Sequence, residues 1–198
     1  MKRVKFIYFD VGEVLISGAT SKDFAEKLLG INYEDFKKVY KKHRFNIYKG
    51  TVSTTDLLTL YKKEFPSIKT TNPFEEWLTL LSPIQEMHTL ISKLHPTYQL
   101  GIITNSYSGT FDKIQQKNLL PNVLFTHIVD SSKVGFAKPE KEIYMLAQGK
   151  TGLLAEEILF IDNKEENILA AQKMGWQGFI FNQNNPTESV KALEKLLL

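Results

Sequence analysis

Not one cysteine occurs among the 198 residues, which excludes disulfides, thiolate metal sites and cysteine nucleophiles. Such a composition fits a reducing compartment. No apolar run approaches the ~18 residues that mark a membrane-spanning helix. The opening Met1-Lys2-Arg3 is charged, but the apolar stretch behind it stops at Asp10, too soon for a signal peptide. The expectation is therefore a cytoplasmic protein with no membrane partner. Charge of one sign is also scarce. A net charge of +3 falls short of the basic bias of a dedicated nucleic-acid binder. The four histidines (His43, His88, His95 and His127) show no metal-ligand spacing. Repeats and low-complexity segments are missing too, and Asn182-Gln183-Asn184-Asn185-Pro186 reads as a polar turn rather than a linker.

What is present is an ordinary globular composition, 42% hydrophobic and 24% charged, in a chain long enough for one α/β domain with a small subdomain. Residues 4–9 are an apolar, partly aromatic run that reads as a buried strand and ends at Asp10. From residue 18 to Pro83 the texture is helical, with four short amphipathic stretches and no convincing strand. Thr20 and Ser53 offer N-caps, Pro73 a helix start, and Gly30 and Gly50 helix ends. After Pro83, strands and helices alternate. Strands are expected at 98–104, 125–129, 158–161 and 177–181. Helices are expected at 84–94, 110–117, 140–148, 165–174 and 188–197. This alternation predicts a three-layer, Rossmann-like parallel sheet flanked by helices, with an inserted α-helical cap in the form of a four-helix bundle. The expected division is a core of residues 1–15 and 83–198 and a cap of residues 16–82. Residues 16–82 carry 11 Lys/Arg against 8 Asp/Glu, and the rest of the chain is balanced, so the excess charge sits on the cap. It could draw in an anionic ligand or be a solvated helix face, with Lys37, Lys38, Lys41 and Lys42.

Four places carry chemistry, each just after an expected strand: Asp10; Thr104-Asn105-Ser106; Lys138 in Gly135-Phe136-Ala137-Lys138-Pro139; and Asp162-Asn163. The C-terminal strand ends of a parallel sheet share one edge, so these groups can converge. Asp10 can act as a nucleophile. Asp162 could hold Mg²⁺ together with Asp10, because Mg²⁺ favours a few oxygen ligands and phosphate oxygens. The Thr104 hydroxyl and the backbone amides of Asn105 and Ser106 could hold phosphoryl oxygens, and Lys138 adds positive charge where negative charge builds up.

Together these stretches resemble the haloacid dehalogenase-like hydrolase superfamily over nearly the whole chain. Phe9-Asp10-Val11-Gly12-Glu13-Val14-Leu15 looks like its first motif, with the aspartate nucleophile. Ile103-Thr104-Asn105 resembles the second, and Gly135 to Pro139 followed by Ile143-Tyr144 the third, with its lysine. Phe160-Ile161-Asp162-Asn163, with Asn167, Ala170-Ala171 and Gly175, is similar to the acidic fourth. The resemblance implies a Mg²⁺-dependent phosphatase acting on a small sugar or other metabolite phosphate. Metal ligands would come from Asp10, the Gly12 carbonyl, Asp162 and Asn163.

The chain departs from that pattern at two positions. Gly12 stands where phosphatases of the superfamily carry the aspartate that protonates the leaving alcohol. Losing a positioned acid typically costs ~10²–10⁴-fold in rate, so slow turnover is expected, with preference for leaving groups that need little protonation. Some sugar-phosphate phosphatases of the superfamily also have glycine here. Glu13 would point to the other face if it lay on a strand. Asn163 replaces the second of two adjacent acids, and Glu165 and Glu166 stand nearby. The alternatives are a phosphate-binding or regulatory protein with little turnover, or a 2-haloacid dehalogenase; for the latter an aromatic residue would replace Gly12 and Asp162 would be left without a purpose. Arg44, Asn46 and Tyr48, before Gly50, are candidates for substrate contact. Trp77 and Trp176 are expected to serve packing.

Overall fold

The computed structural model describes residues 4–18 and 20–198. The reading of Met1-Lys2-Arg3, the start of the expected 1–15 segment and Ala19 of the expected cap lie outside the described residues.

Five parallel strands form the central sheet: β1 (Phe6–Phe9), β4 (Gln99–Thr104), β5 (His127–Asp130), β6 (Ile158–Asp162) and β7 (Gln177–Ile180), in the spatial order β5-β4-β1-β6-β7. β1 lies in the middle and is buried at every residue, as expected of a parallel strand covered on both faces. Its side chains alternate between two cores. Ile7 and Phe9 pack against α5 (Gln85–Leu94), α6 (Thr110–Gln116) and α10 (Pro186–Leu197). Phe6 and Tyr8 pack against α8 (Lys141–Thr151) and α9 (Glu165–Lys173). The three-layer α/β expectation therefore holds, because a period-2 strand with both faces apolar needs helices on both sides.

Between β1 and α5 the chain forms a helical segment: α1 (Ser21–Asp23) running into a π-helical stretch Phe24–Leu29, then α2 (Tyr33–Tyr48), α3 (Thr54–Glu64) and α4 (Pro73–Thr79). Capping boxes on Thr20 and Ser53 start the first and third helical stretches, and Gly30 ends the first in the left-handed region. Phe24, Phe36, Leu57, Tyr61 and Phe74 give this segment a core of its own. One expectation fails here. Two short strands, β2 (Ile16–Ser17) and β3 (Ser82–Pro83), pair antiparallel where the segment leaves and re-enters the sheet domain. The two ends of an insertion must come together, and two residues on each side are too few to show a period in sequence. The short helix α7 (Ser131–Val134) follows β5. Helix α8 runs past its expected end at 148 because Gly149 is tolerated inside it and Gly152, at φ +65, caps it.

Several contacts tie the helical segment to the sheet domain. Gly50, at φ +72, lies so close to α7 that a Cβ there would stand 2.2 Å from the Ser132 carbonyl oxygen. Lys49 pairs with Glu140 at 2.6 Å, and Lys113 on α6 pairs with Glu75 on α4. No helix among the described residues is long and apolar enough to cross a membrane.

Candidate active site

The register of the sheet brings the four chemical positions together. Phe9 pairs with Ile102 on β4 and with Ile161 on β6, so Asp10 emerges level with the ends of both strands. Its N–H donates to the Ile161 carbonyl at 2.9 Å, which fixes it beside Asp162. Thr104 ends β4 opposite Asp130 on β5. The strands stop here because each apolar run gives way to a polar residue that can be satisfied by a neighbouring loop.

Lys138 joins these pieces. Its ammonium stands 2.9 Å from Asp10 Oδ1 and 2.7 Å from Asp162 Oδ2, and it donates to the Ile103 carbonyl at 3.0 Å. Lys138 and Asp162 are almost wholly buried, at 2% and 0% exposure, and Asp10 retains 8%. Asn105 fixes the lysine loop from its side chain: its Nδ2 donates to the Lys138 carbonyl at 2.9 Å, and the Lys138 N–H donates to its Oδ1 at 2.8 Å. Asn167 Nδ2 and the Lys164 N–H donate to Asp162 at 2.9 and 2.8 Å, fixing its orientation.

The electrostatics split the two carboxylates. Burial raises Asp10 from 3.8 to about 6, against the lowering charge of Lys138, with Asp162 adding to the rise. Burial works to raise Asp162 as well, but the charge and hydrogen bond of Lys138 and the donors from Lys164 and Asn167 outweigh it and hold Asp162 below the ordinary value. Burial works against the charge on Lys138, and its two carboxylate partners overcome that and raise it.

Asp10, Thr104 and Lys138 line a cavity of about 390 Å³ between the sheet edge and the helical segment. Asn105 and Ser106 line it too, but Ser106 is already engaged. Its N–H donates to Ser131 Oγ at 3.1 Å and its hydroxyl to Asp130 Oδ1 at 2.5 Å. Of the two amides considered from sequence, that of Ser106 is thus turned away from a ligand. Gly12 and Asn163 also border the cavity. Asn163 donates its Nδ2 to Gln183, while its buried Oδ1 has no hydrogen-bond partner among the described residues. An orphaned carbonyl oxygen on the wall that also carries the Asp10 carboxylate is a donor suited to a hard cation such as Mg²⁺, while Asp162, next in the chain, does not line the cavity and has both oxygens hydrogen-bonded.

Glu13 does not lie on a strand. It sits in a turn with φ 60, faces the cavity, and is half-buried, which raises its carboxyl above the usual range. Of the three residues before Gly50, only Tyr48 lines the cavity. Arg44 lies over the Phe45 ring at 4.8 Å, and the Asn46 carbonyl accepts from Thr51 at the helix end. Sequence reasoning missed Tyr33, Tyr40 and Tyr107, and it assigned Trp77 to packing alone; all four line the cavity. The spacing of Tyr33, Tyr40 and Tyr48 along one face of α2 was a visible signal that an apolar helix face had absorbed. Trp176 packs in the core as expected.

Known proteins resemble this chain in sequence and in fold. The family described as haloacid dehalogenase-like hydrolase matches residues 13–180. Glyceraldehyde 3-phosphate phosphatase of Methanothermobacter thermautotrophicus is 26% identical over 155 residues, which are 77% of this chain and 62% of that one. The chain thus spans under two thirds of that relative's length. A protein described as a predicted HAD-like family hydrolase from Porphyromonas gingivalis superposes with a TM-score of 0.81 at 22% identity, over 99% of this chain and 98% of its own. A HAD family enzyme from Bacteroides thetaiotaomicron, in complex with magnesium and inorganic phosphate, superposes with a TM-score of 0.72 at 20% identity, over 89% and 93%.

Proposed function

This chain belongs to the haloacid dehalogenase-like hydrolases, and from that premise we propose that it hydrolyses phosphate monoesters through an aspartyl-phosphate on Asp10. The observation that carries the reading is the buried Asp10–Lys138–Asp162 chain, with Asp10 at the floor of a cavity large enough for a small organic phosphate.

The Val11 N–H donates to Asp10 Oδ1 at 2.6 Å, and Lys138 approaches the same oxygen. Oδ2 is then the atom that attacks phosphorus. The P–O bond to the leaving group breaks as the Oδ2–P bond forms, and water later displaces Asp10 to release inorganic phosphate. The Thr104 hydroxyl and the Asn105 N–H face the phosphoryl oxygens, and Lys138 offsets their charge. Asp10, the Gly12 carbonyl, Asp162 and Asn163 would hold Mg²⁺, which supplies the neutralising charge that lets an anionic carboxylate approach an anionic phosphate. Small sugar and other metabolite phosphates are the candidate substrates, and the missing acid at Gly12 favours those whose leaving group departs without a proton.

A phosphate-binding protein without useful turnover is the second reading, supported by the bare Gly12. Assays with p-nitrophenyl phosphate and a panel of sugar phosphates, with and without Mg²⁺, separate the two. Hydrolysis that needs Mg²⁺ and is lost in Asp10→Asn supports the phosphatase; retained phosphate binding with no turnover across the panel leaves the second.

A further inference from the structure

We propose that the substrate of this site is an aryl monophosphate, one whose phosphoryl group is esterified to a phenolic oxygen of a small aromatic ring. The inference rests on the phosphatase reading and deepens it. Beyond Asp10, Thr104 and Lys138, the cavity is walled by Tyr33, Tyr40, Tyr48, Trp77 and Tyr107. These rings support one another. Tyr48 and Tyr107 are stacked with centroids 6.2 Å apart and 13° between their planes, and Phe74 meets Tyr107 edge-on at 5.6 Å behind it. The Tyr40 and Tyr48 hydroxyls are hydrogen-bonded to each other, which holds two of the rings in register. Such a wall is preorganised for a flat ring, because offset or edge contacts need fixed ring planes.

Charge on the wall points the same way. Among the described lining residues the cations are Lys22, Lys138 and Lys164. Lys138 is committed to two carboxylates, Lys164 adjoins the phosphoryl end through its N–H to Asp162, and Lys22 is exposed at the rim. A second carboxylate or phosphate on the leaving group would meet tyrosine rings, with Lys22, paired with Glu26 at 4.0 Å, as the one described lining cation away from the phosphoryl end, at a desolvation cost. The leaving group that fits is uncharged.

Gly12 supplies an independent reason. Gly12 carries no side chain to protonate a departing oxygen, which leaves the cavity-facing Glu13 as the one carboxyl besides Asp10 on the described lining, and a Cβ placed at Gly12 would meet nothing within 4 Å. A phenol ionises near 10, as tyrosine does, so an aryloxide leaves on its own. The Asp10 Oδ2–P bond forms, the P–OAr bond breaks with its electron pair on the aryl oxygen, and that oxygen takes a proton from water afterwards. A preference for ring substrates and the loss of the acid are thus two sides of one specificity.

Two measurements test the ring and the leaving group separately. Binding to the Mg²⁺-loaded protein is measured by calorimetry for benzylphosphonate and cyclohexylmethylphosphonate, which differ in aromaticity at similar size. The expected result is about 3–10-fold tighter binding of the benzyl compound, a ratio kept in Tyr107→Phe and reduced toward one in both Tyr107→Leu and Tyr48→Leu. Turnover is measured on phenyl and benzyl phosphates, with phenyl phosphate expected to be faster by about 10² or more. Equal binding of the two phosphonates overturns the ring inference whether or not any ester is hydrolysed. Equal turnover of phenyl and benzyl phosphates overturns the leaving-group half. No turnover of either ester, with the binding preference intact, overturns the phosphatase reading and leaves the ring specificity standing.

Discussion

The Lys138 ammonium lies 2.9 Å from Asp10 and 2.7 Å from Asp162, bridging two carboxylates in a place water barely reaches. Two buried anions this close cannot both stay ionised without a cation between them. Lys138 is therefore a structural tie between β1, β6 and the loop before α8, and in the proposed reaction it is also part of the chemistry. Its replacement by Met keeps the volume but leaves Asp10 and Asp162 without their partner. The expected cost is about 3–5 kcal/mol of stability without metal, as for other broken buried pairs. Activity should fall by about 10³-fold or more. Chemical denaturation in EDTA reads the first and steady-state assay the second. An unchanged midpoint would show that the cluster is not an ion pair in the folded protein.

The raised Asp10 gives a pH signature. Its carboxyl sits at about 6 in the folded protein against an ordinary 3.8. The folded state therefore holds the proton more tightly, and the penalty for ionising it appears as pH rises from about 4 to 6 and is complete above that. The gap of about two pH units, at about 1.4 kcal/mol each, makes the penalty ~3 kcal/mol. Asp10→Asn lacks this titration. Without metal, its stability relative to the wild type should therefore improve by roughly that amount between pH 4 and pH 8, while its turnover is abolished. Parallel stability curves for the two proteins across this range would contradict the assignment. The same titration predicts that phosphatase activity declines on the acid side as Asp10 gains its proton, with the midpoint moving lower as Mg²⁺ is raised.

Asn163 tests the cation site directly. Its Oδ1 is buried without a partner among the described residues, while its Nδ2 is held by Gln183. Asn163→Asp adds a formal charge at that oxygen and should tighten Mg²⁺ by about tenfold, because affinity in such sites follows ligand charge. Asn163→Leu should weaken it by a similar factor. Titration calorimetry with Mg²⁺ alone measures both without reference to activity. If all three proteins bind Mg²⁺ equally, the orphaned oxygen belongs to something other than a cation site.

Gly50 is predicted to be intolerant. At φ +72, with the Ser132 carbonyl oxygen 2.2 Å from where a Cβ would stand, Gly50→Ala faces both backbone strain and a clash with main chain that cannot yield. A loss of about 2 kcal/mol or more in thermal or denaturant unfolding is expected. Gly30→Ala, also at positive φ but with open space around it, should cost less. The reverse order would mean that the helical segment does not seat on α7 as described.

The sheet and the positions of its chemical groups were legible because they rest on local pattern. The run 4–9 breaks abruptly at Asp10, and the residues before Thr104 and Asp162 do the same, so topology alone brings these groups to one edge. What sequence could not show was non-local. The Ser106 amide turns to Ser131 because a serine on α7, after another strand, reaches it. Tyr40 reads as the apolar face of α2, and only the placement of the helical segment over the sheet edge exposes that face to a cavity. On a strand Glu13 would point to the other face, but the chain turns immediately after Val11, the Glu13 N–H finds the Ile16 carbonyl at 2.7 Å, and the turn brings its side chain to the cavity.

That turn also makes the absent acid open to repair. A side chain at Gly12 has open space, and no positive φ forbids it, so Gly12→Asp should fold with little strain. If the acid is the one part missing, turnover of alkyl phosphates should rise by about 10² or more, while aryl phosphates, which leave without a proton, change little. The new carboxylate must be protonated to donate, and the negative charge of Asp10 two residues away would raise it above the ordinary value. The gain should therefore be largest on the acid side of the profile and fade as pH rises. Benzyl and phenyl phosphates assayed from pH 5 to 9 give the comparison. An equal gain on both esters, or one that grows with pH, would mean that Gly12→Asp acts through the cation site rather than as a proton donor, and that the leaving-group account of this glycine is wrong.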